Sequence, residues 1–278
     1  MNISRFFNFP PEKISPAFKG WLPIFQFYNP GVLLVPTVIA LDIGLILGGI
    51  AVGVFQTDLW VLTLITLLCL LPVGIHKWRA DRQQHGWVVM VLSITMIAQG
   101  AHTFEHIVQY VQYHFLFFTM RQSNGLLSAA NAEWVHFVWN WAVLFVVLLL
   151  IKGGIRNFWV WILLLVAVGH TLEHTYSFVR YLIVLQDLKS LGVTTLTAQG
   201  LAGICGRDGF LARSPLTYNT FIRKIPGLTT AIRLDVHFVW NMIEMTFLLL
   251  AGNTFLRKYS KSTQPEKSPA FQPVQQPV

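Results

Sequence analysis

Long apolar runs with few charges alternate with short polar segments along the chain. A helix needs about 20 apolar residues to cross the hydrocarbon core of a bilayer. The pattern therefore predicts six membrane-spanning helices, and the predicted fold class is an all-α integral membrane protein. The six spans are expected at about 32–55, 58–76, 86–112, 132–151, 157–182 and 234–253.

The spans divide the chain into segments with different expected roles. Residues 1–31 are rich in aromatic side chains, which favour the headgroup level, so we expect this segment to lie on the membrane surface, with a loosely ordered tail as the alternative. Between spans five and six lies a long loop, which we expect to form a cap. Residues 259–278 are rich in Pro, Gln and Ser, which predicts a disordered tail. The remaining segments are helices one and two at 32–76, helices three and four at 86–151, and helices five and six at 157–253 with the loop 183–233.

The composition agrees with a membrane protein, since 54% of the residues are hydrophobic and only 12% are charged. Soluble domains carry about 25% charged residues. The net charge of +8 comes from basic residues that lie mainly between the apolar runs, which indicates membrane topology and no nucleic-acid partner. The positive-inside bias predicts cytoplasmic N and C termini. The loops 113–131 and 183–233 are then expected on the outer side.

A polar pattern occurs twice within these apolar runs. The two first boxes are His102-Thr103-Phe104-Glu105-His106 and His170-Thr171-Leu172-Glu173-His174. Each is followed by the same second box, His136-Phe137-Val138-Trp139-Asn140 after the first and His237-Phe238-Val239-Trp240-Asn241 after the second. This order predicts an internally duplicated two-helix unit, formed by spans three and four and by spans five and six.

The spacing within the boxes indicates a metal centre. Residues three and four apart share a helix face, so the His and Glu side chains of each first box are expected to project together. With the predicted topology all six box histidines lie at one depth, toward the outer leaflet, inside a four-helix bundle of spans three to six. The predicted ligands are His102, Glu105, His106, His136, His170, Glu173, His174 and His237. Asn140, Asn241, Glu133 and Glu244 are expected to surround them.

Each half supplies three histidines and one glutamate, which predicts two metal ions, held either in two mononuclear sites or in one shared dinuclear site. Iron is the first choice, and copper or zinc are alternatives. The leading hypothesis is a non-haem oxidoreductase acting on a lipid-like or other membrane-soluble substrate. Glu105 and Glu173 would bridge the metals or transfer protons. The general idea is similar to the His boxes of membrane desaturases and hydroxylases, but the spacings and the duplication differ, so no family is assigned.

Other interpretations of the boxes remain open at this stage. The H-x-x-E-H spacing resembles the inverzincin zinc-protease motif, in which the glutamate activates water, and so a zinc hydrolase is the runner-up. That motif belongs to a soluble α/β context and here it occurs twice on membrane helices. A metal carrier or an electron-transfer subunit would use the same ligands. The polar residues could also hydrogen-bond the helices together without a metal. Haem binding is a further alternative, but a bis-histidine haem needs fewer histidines than the chain supplies.

Overall fold

A computed structural model of the chain describes residues 22–28, 31–194 and 200–263. These residues are helical or irregular, without a β-strand. Six helices are long and apolar enough to cross a membrane, as the hydrophobic pattern predicted. The helices are α1 Leu34–Gly53, α2 Leu59–His85, α3 Trp87–His114, α4 Glu133–Lys152, α5 Phe158–Ser190, the short α6 Phe210–Arg213 and α7 Arg233–Thr263.

Several helices end later than the hydrophobic pattern predicted. α2 continues through the basic segment as far as His85. An ion pair between Lys77 and Asp81, four residues apart, supports this extension of the helix. The helix stops because Gly86 adopts φ +84°, a conformation that favours glycine, and α3 begins at the next residue. α7 continues to Thr263, and the rest of the predicted tail, residues 264–278, lies outside the described residues.

Exposure is distributed as expected for helices that face lipid. Leu165 is 73% exposed and Phe145 is 61% exposed, although both lie in the middle of apolar helices. By contrast, His170, Glu173 and Asn241 are at most 1% exposed. Large apolar side chains therefore cover the outside of the described bundle, while ionisable and amide side chains fill much of its inside. This arrangement indicates a multi-pass membrane protein.

α1 and α2 form a closely packed hairpin at one side of the molecule. Gly44 and Gly48 are spaced as in a G-x-x-x-G motif, and both are buried against α2. A Cβ at Gly44 would lie 2.7 Å from the Cα of Thr66, and one at Gly48 would lie 2.8 Å from the Cα of Leu62. Small residues thus let the two backbones approach, which is how helices associate inside lipid.

The other four long helices form the bundle that carries the box histidines. α7 packs against α3 and α5, and α5 also packs against α4. The bundle has two layers along its axis. Toward the short connections the core is apolar, with Leu92, Met96, Leu150, Leu163 and Leu248 buried there. Toward the two long loops, which connect α3 to α4 and α5 to α7, the buried side chains are polar.

Part of the N-terminal segment packs into the apolar layer. Residues Pro23–Tyr28 form a 3₁₀ helix whose Ile24 and Phe27 side chains are buried. The hydroxyl of Tyr28 donates to the backbone carbonyl of Met96 at 2.8 Å. The membrane-surface position of residues 1–31 stays a prediction, and within the described part Ile24 and Phe27 contribute side chains to the core. Residues 1–21, 29 and 30 lie outside the described residues.

Candidate metal centre

Six histidine rings from four helices meet in the polar layer of the bundle. α3 supplies His102 and His106, because a spacing of four residues places both on one face. α5 supplies His170 and His174 in the same way, and the first turns of α4 and α7 supply one ring each. Neighbouring rings of the cluster have centroids 4.7–5.8 Å apart. The members of this histidine cluster are His102, His106, His136, His170, His174 and His237.

One half of the histidine cluster groups three ring nitrogens that could hold a metal ion. His102, His106 and His136 each offer a ring nitrogen, and these three atoms lie within 4.8 Å of one another. Two nitrogens bound to one ion at about 2.0–2.1 Å lie roughly 3 Å apart, so small side-chain rotations bring the three to ligand distance. His106 and His136 are 2% and 3% exposed, and such burial shields a bound ion from water.

The other half is formed by His170, His174 and His237. The Nε2 atoms of His170 and His174 lie 3.2 Å apart, close to the spacing of two nitrogens on one ion. The rings of His174 and His237 have centroids 4.7 Å apart. His136 joins the two halves, since its ring stacks on that of His174 at 5.1 Å. The two halves are therefore one continuous cluster.

Hydrogen bonds at Nδ1 orient three of the rings. Nδ1 of His106 lies 2.9 Å from Oε1 of Gln109, and Nδ1 of His170 lies 3.0 Å from Oε2 of Glu244. Nδ1 of His136 lies 3.4 Å from the backbone carbonyl of Ala132. The partner atoms are a carboxylate oxygen, a carbonyl oxygen and the amide oxygen of Gln109, all of which accept hydrogen bonds. Each of these Nδ1 atoms therefore carries the hydrogen. Nε2 then keeps its lone pair, as a neutral imidazole ligand requires.

Four Nε2 atoms of the cluster have no hydrogen-bond partner in the described part of the chain, whereas those of His170 and His174 pair with each other. The Nε2 atoms of His102, His106, His136 and His237 are all buried and unpaired. An unpaired polar atom at such depth costs about 1–3 kcal/mol. Four such atoms in one place are poorly explained by helix packing alone, whereas a bound metal ion would satisfy them. The donor set therefore fits a metal that accepts imidazole ligands.

The two box glutamates lie outside the histidine cluster and hold the long loops. Oε2 of Glu105 accepts from the backbone N–H of Leu126 at 2.9 Å, and Oε1 accepts from that of Leu127 at 2.8 Å. Oε2 of Glu173 accepts from the N–H groups of Ile204 and Cys205, both at 3.0 Å. Each first box thus directs its histidines into the bundle and its glutamate toward the loop that follows its helix.

A glycine makes each of these glutamate contacts sterically feasible. A Cβ on Gly125 or Gly203 would collide with the Oε1 atom of Glu105 or Glu173, respectively. Gly125 also has φ +72°. Both loops carry a glycine followed directly by the residues that donate to the glutamate. These two glycines were not predicted from the sequence, although a glycine follows each first box in the loop after its helix.

The thiol of Cys205 lies beside the second glutamate. Burial raises the pKa of this thiol to about 12, and the nearby Glu173 carboxylate adds to the shift. Cys205 therefore stays protonated at physiological pH.

The four residues expected around the ligands occupy different places. Asn140 and Asn241 donate through Nδ2 to the backbone carbonyls of His136 and His237, at 2.9 and 3.0 Å, respectively. Glu244 reaches the ring of His170 as described above. Glu133 forms an ion pair with Arg233 and accepts from the N–H of Gly200 at 3.1 Å, so it holds the long loop and the start of α7.

A buried polar chain extends from the cluster toward the apolar layer. Gln99 donates through Nε2 to Glu244 at 3.0 Å and to Oδ1 of Asn241 at 3.2 Å, and its Oε1 accepts from the indole N–H of Trp139 at 3.0 Å. The chain thus joins α3, α4 and α7, and the hydrogen bond that Nδ1 of His170 donates to Glu244 adds α5. Trp139 is consequently part of the site, although its role was not predicted from sequence.

Corresponding positions of the boxes make corresponding contacts. The ring of His102 lies 5.1 Å from that of Trp139, and the ring of His170 lies 5.5 Å from that of Trp240. Two aromatic pairs also match across the boxes, since each second-box phenylalanine stacks on a ring of the neighbouring first-box helix. These pairs are Phe238 on Tyr110 at 4.2 Å and Phe137 on Phe178 at 4.7 Å.

Comparisons with protein-family models, with curated proteins and with solved structures find no match to this chain. The function is therefore argued from the site alone.

Proposed function

We propose that this protein is an integral membrane metalloprotein that binds two redox-active metal ions through its histidine cluster and oxidises a membrane-soluble substrate. The observation that carries the proposal is the set of four buried, unpaired Nε2 atoms on rings that contact one another. A polar or ionisable group inside a bilayer costs on the order of several kcal/mol unless it is partnered. Metal ligation offsets that cost for these four rings at once.

The ligand set bears on the identity of the ions. Imidazole suits copper, iron, zinc and nickel, whereas mononuclear non-haem iron commonly has a carboxylate ligand as well. Glu105 and Glu173 both accept backbone hydrogen bonds from the loops. If they keep these partners, three histidines per ion remain, and this set shifts our preference from iron toward copper. Either metal, when bound, supplies one-electron chemistry with dioxygen.

The residues around the cluster prepare it for such chemistry. Glu244, Gln109 and the carbonyl of Ala132 hold three rings with Nε2 inward, which lowers the entropy lost on metal binding. The loops anchored by the box glutamates lie over one end of the bundle and restrict water there. We propose an apolar substrate because the surfaces around the bundle expose leucine, phenylalanine and tryptophan side chains.

The paired contacts support the internal duplication that the boxes suggest. Three kinds of contact occur once per half. They are the His–Trp contacts, the glutamate–loop contacts and the stacking of a second-box phenylalanine on the neighbouring first-box helix. We propose a pseudo-twofold axis along the bundle between spans three and four and spans five and six. We also propose cytoplasmic termini, which would put the histidine cluster toward the outer leaflet.

The zinc-hydrolase alternative finds less support in this geometry. It needs a glutamate free to take a proton from water, but both oxygens of Glu105 accept backbone hydrogen bonds. The haem alternative needs room for a flat macrocycle between two histidines, whereas the six rings here contact one another directly. A carrier or electron-transfer subunit would share the ligands and differ by lacking turnover.

Oxygen-dependent turnover tests the proposal. Detergent-purified protein would be loaded with iron or copper and supplied with lipid extract, while oxygen uptake and oxidised lipid are measured by electrode and mass spectrometry. We expect uptake in the wild type, loss in His174→Ala and retention in the control His85→Ala, which alters a histidine far from the cluster. Metal binding without oxygen uptake or lipid oxidation would favour a carrier or an electron-transfer subunit.

A further inference from the structure

A cavity lined by three arginines lies at the long-loop end of the bundle. Its volume is about 170 Å³. Arg180 reaches it from α5, Arg207 from the α5–α7 loop and Arg233 from the first turn of α7. Met120 of the α3–α4 loop closes another side. Four separate segments of the chain therefore converge on this cavity.

The guanidinium groups in the cavity exceed the carboxylates that face them. Arg233 pairs with the buried Glu133, and its Nε is buried without a hydrogen-bond partner. Arg180 donates to the backbone carbonyl of Ala202 and forms no ion pair with a carboxylate in the described part of the chain. Arg207 lies 3.7 Å from Asp208, and both of those side chains are largely exposed. The cavity thus keeps a net positive charge and free donor capacity for an anion.

The cavity lies directly beyond the histidine cluster. Arg233 is four residues before His237 on α7, and Glu133 is three residues before His136 on α4. One helical turn rises about 5.4 Å, so an anion bound at Arg233 would sit roughly one turn from the candidate metal ligands. The cavity and the histidine cluster are therefore neighbours along the bundle axis.

The surface next to the cavity is apolar. Met120 follows a run of exposed side chains at the end of α3, and Phe117 in this run is 86% exposed. Its neighbours Phe115 and Leu116 are also exposed. Aromatic and aliphatic side chains at a helix end favour the membrane interface. An anionic group in the cavity therefore has an apolar surface beside it on which a hydrocarbon tail can lie.

We propose that the cavity binds the anionic headgroup of a single-tailed amphiphile, with a fatty carboxylate as the fitting class. The proposal rests on the proposed function in one respect, because it makes this amphiphile the substrate that the metal centre oxidises. Guanidinium groups match a carboxylate in shape and charge, and phosphate shares that chemistry. The adjoining apolar surface distinguishes an amphiphile from a free anion.

Quenching of tryptophan fluorescence by dibromostearate tests the proposal in the full-length protein as purified in detergent. Bromine quenches nearby indoles, and Trp139 and Trp240 contact the histidine cluster. The methyl ester of the same acid is the matched neutral probe. The pH is chosen so that the acid is ionised. We expect the acid to quench at about tenfold lower concentration than the ester, which corresponds to a difference of about 1.4 kcal/mol in binding free energy.

Two arginine variants assign the difference to the cavity. Arg207→Gln alters an exposed side chain and should leave the fold intact, while Arg180→Gln removes a second guanidinium. We expect either change to weaken the acid several-fold without affecting the ester. The control Arg223→Gln alters a loop arginine that stacks on Tyr218 and does not line the cavity, and it should have no effect.

Coincident curves for acid and ester, or arginine variants that quench like the wild type, would overturn the proposal. Displacement of the acid by millimolar inorganic phosphate would identify a site for free anions and would also overturn it. Displacement by unbrominated stearate but not by phosphate supports it. Metal content measured on the same samples separates this proposal from the proposed metal centre. Protein that binds no metal can still prefer the acid over the ester, and protein that binds metal can lack that preference.

Discussion

Glu244 accepts a hydrogen bond from Nδ1 of His170 across 3.0 Å, and both side chains are almost completely buried. Glu244 lies seven residues after His237 on α7. The residue seven positions after His136 on α4 is Val143. The two halves of the histidine cluster therefore differ, because a carboxylate orients a ring in one half and an apolar side chain stands at the matching place in the other.

This difference predicts unequal metal affinities. Glu244→Gln should weaken the ion held by His170 and His174 by about 10–100-fold, since partners of ligand histidines commonly contribute that much. The other ion should bind as before. Titration with a competing chelator measures both affinities. The control Asp42→Asn makes the same chemical change on α1, away from the cluster, and equal binding in both variants would show that Glu244 does not position a ligand.

The box glutamates should act as loop anchors. Glu105→Gln replaces one of two accepting oxygens by an NH2 group that cannot accept a hydrogen bond. Glu173→Gln can keep one accepting oxygen for both N–H groups but loses the negative charge. Each change should cost about 1–3 kcal/mol of stability. Thermal unfolding in detergent should shift to lower temperature while metal content stays unchanged. Loss of metal with an unchanged unfolding temperature would instead support the sequence-based prediction that these carboxylates are ligands.

The glycines beside these carboxylates should not tolerate a side chain. Gly125→Ala and Gly203→Ala place a Cβ against a glutamate oxygen, and Gly125 also has a positive φ. We expect each change to lower the unfolding temperature and to increase protease cleavage in the affected loop. Gly49→Ala is the control, because a Cβ there has open space and alanine favours a helix. Equal stability of all three variants would contradict the anchoring role.

The sequence was sufficient to predict the six apolar helices and the convergence of the box histidines. Both follow from regular helix geometry, since a spacing of four residues returns to nearly the same face. It was not sufficient to predict the direction of the glutamates. Glu105 lies about 100° around the helix from His106, so a modest rotation decides whether it faces the cluster or a loop. The partner of Glu105, the backbone at Leu126 and Leu127, depends on a loop conformation that hydrophobic periodicity does not encode.

The reactivity of the Cys205 thiol reports on the contact between Glu173 and the α5–α7 loop. With a pKa of about 12, roughly one thiol in 10⁴ is ionised at pH 8, so alkylation should be slow. Glu173→Gln removes the negative charge that helps to raise this pKa, and alkylation should then be faster. The rate of iodoacetamide labelling, read by mass spectrometry of the Cys205 peptide in a Cys69→Ala background, measures this. An unchanged rate would mean that the carboxylate does not act on the thiol.

The metal content of the purified protein tests the central claim most directly. Plasma mass spectrometry on detergent-purified wild type, His106→Ala, His174→Ala and the control His85→Ala gives the number of ions per chain. We expect about two copper or iron ions in the wild type and the control, and at least one fewer in each cluster variant. A wild-type protein without bound metal, after loading with each ion in turn, would contradict the claim and assign the histidine cluster to helix packing.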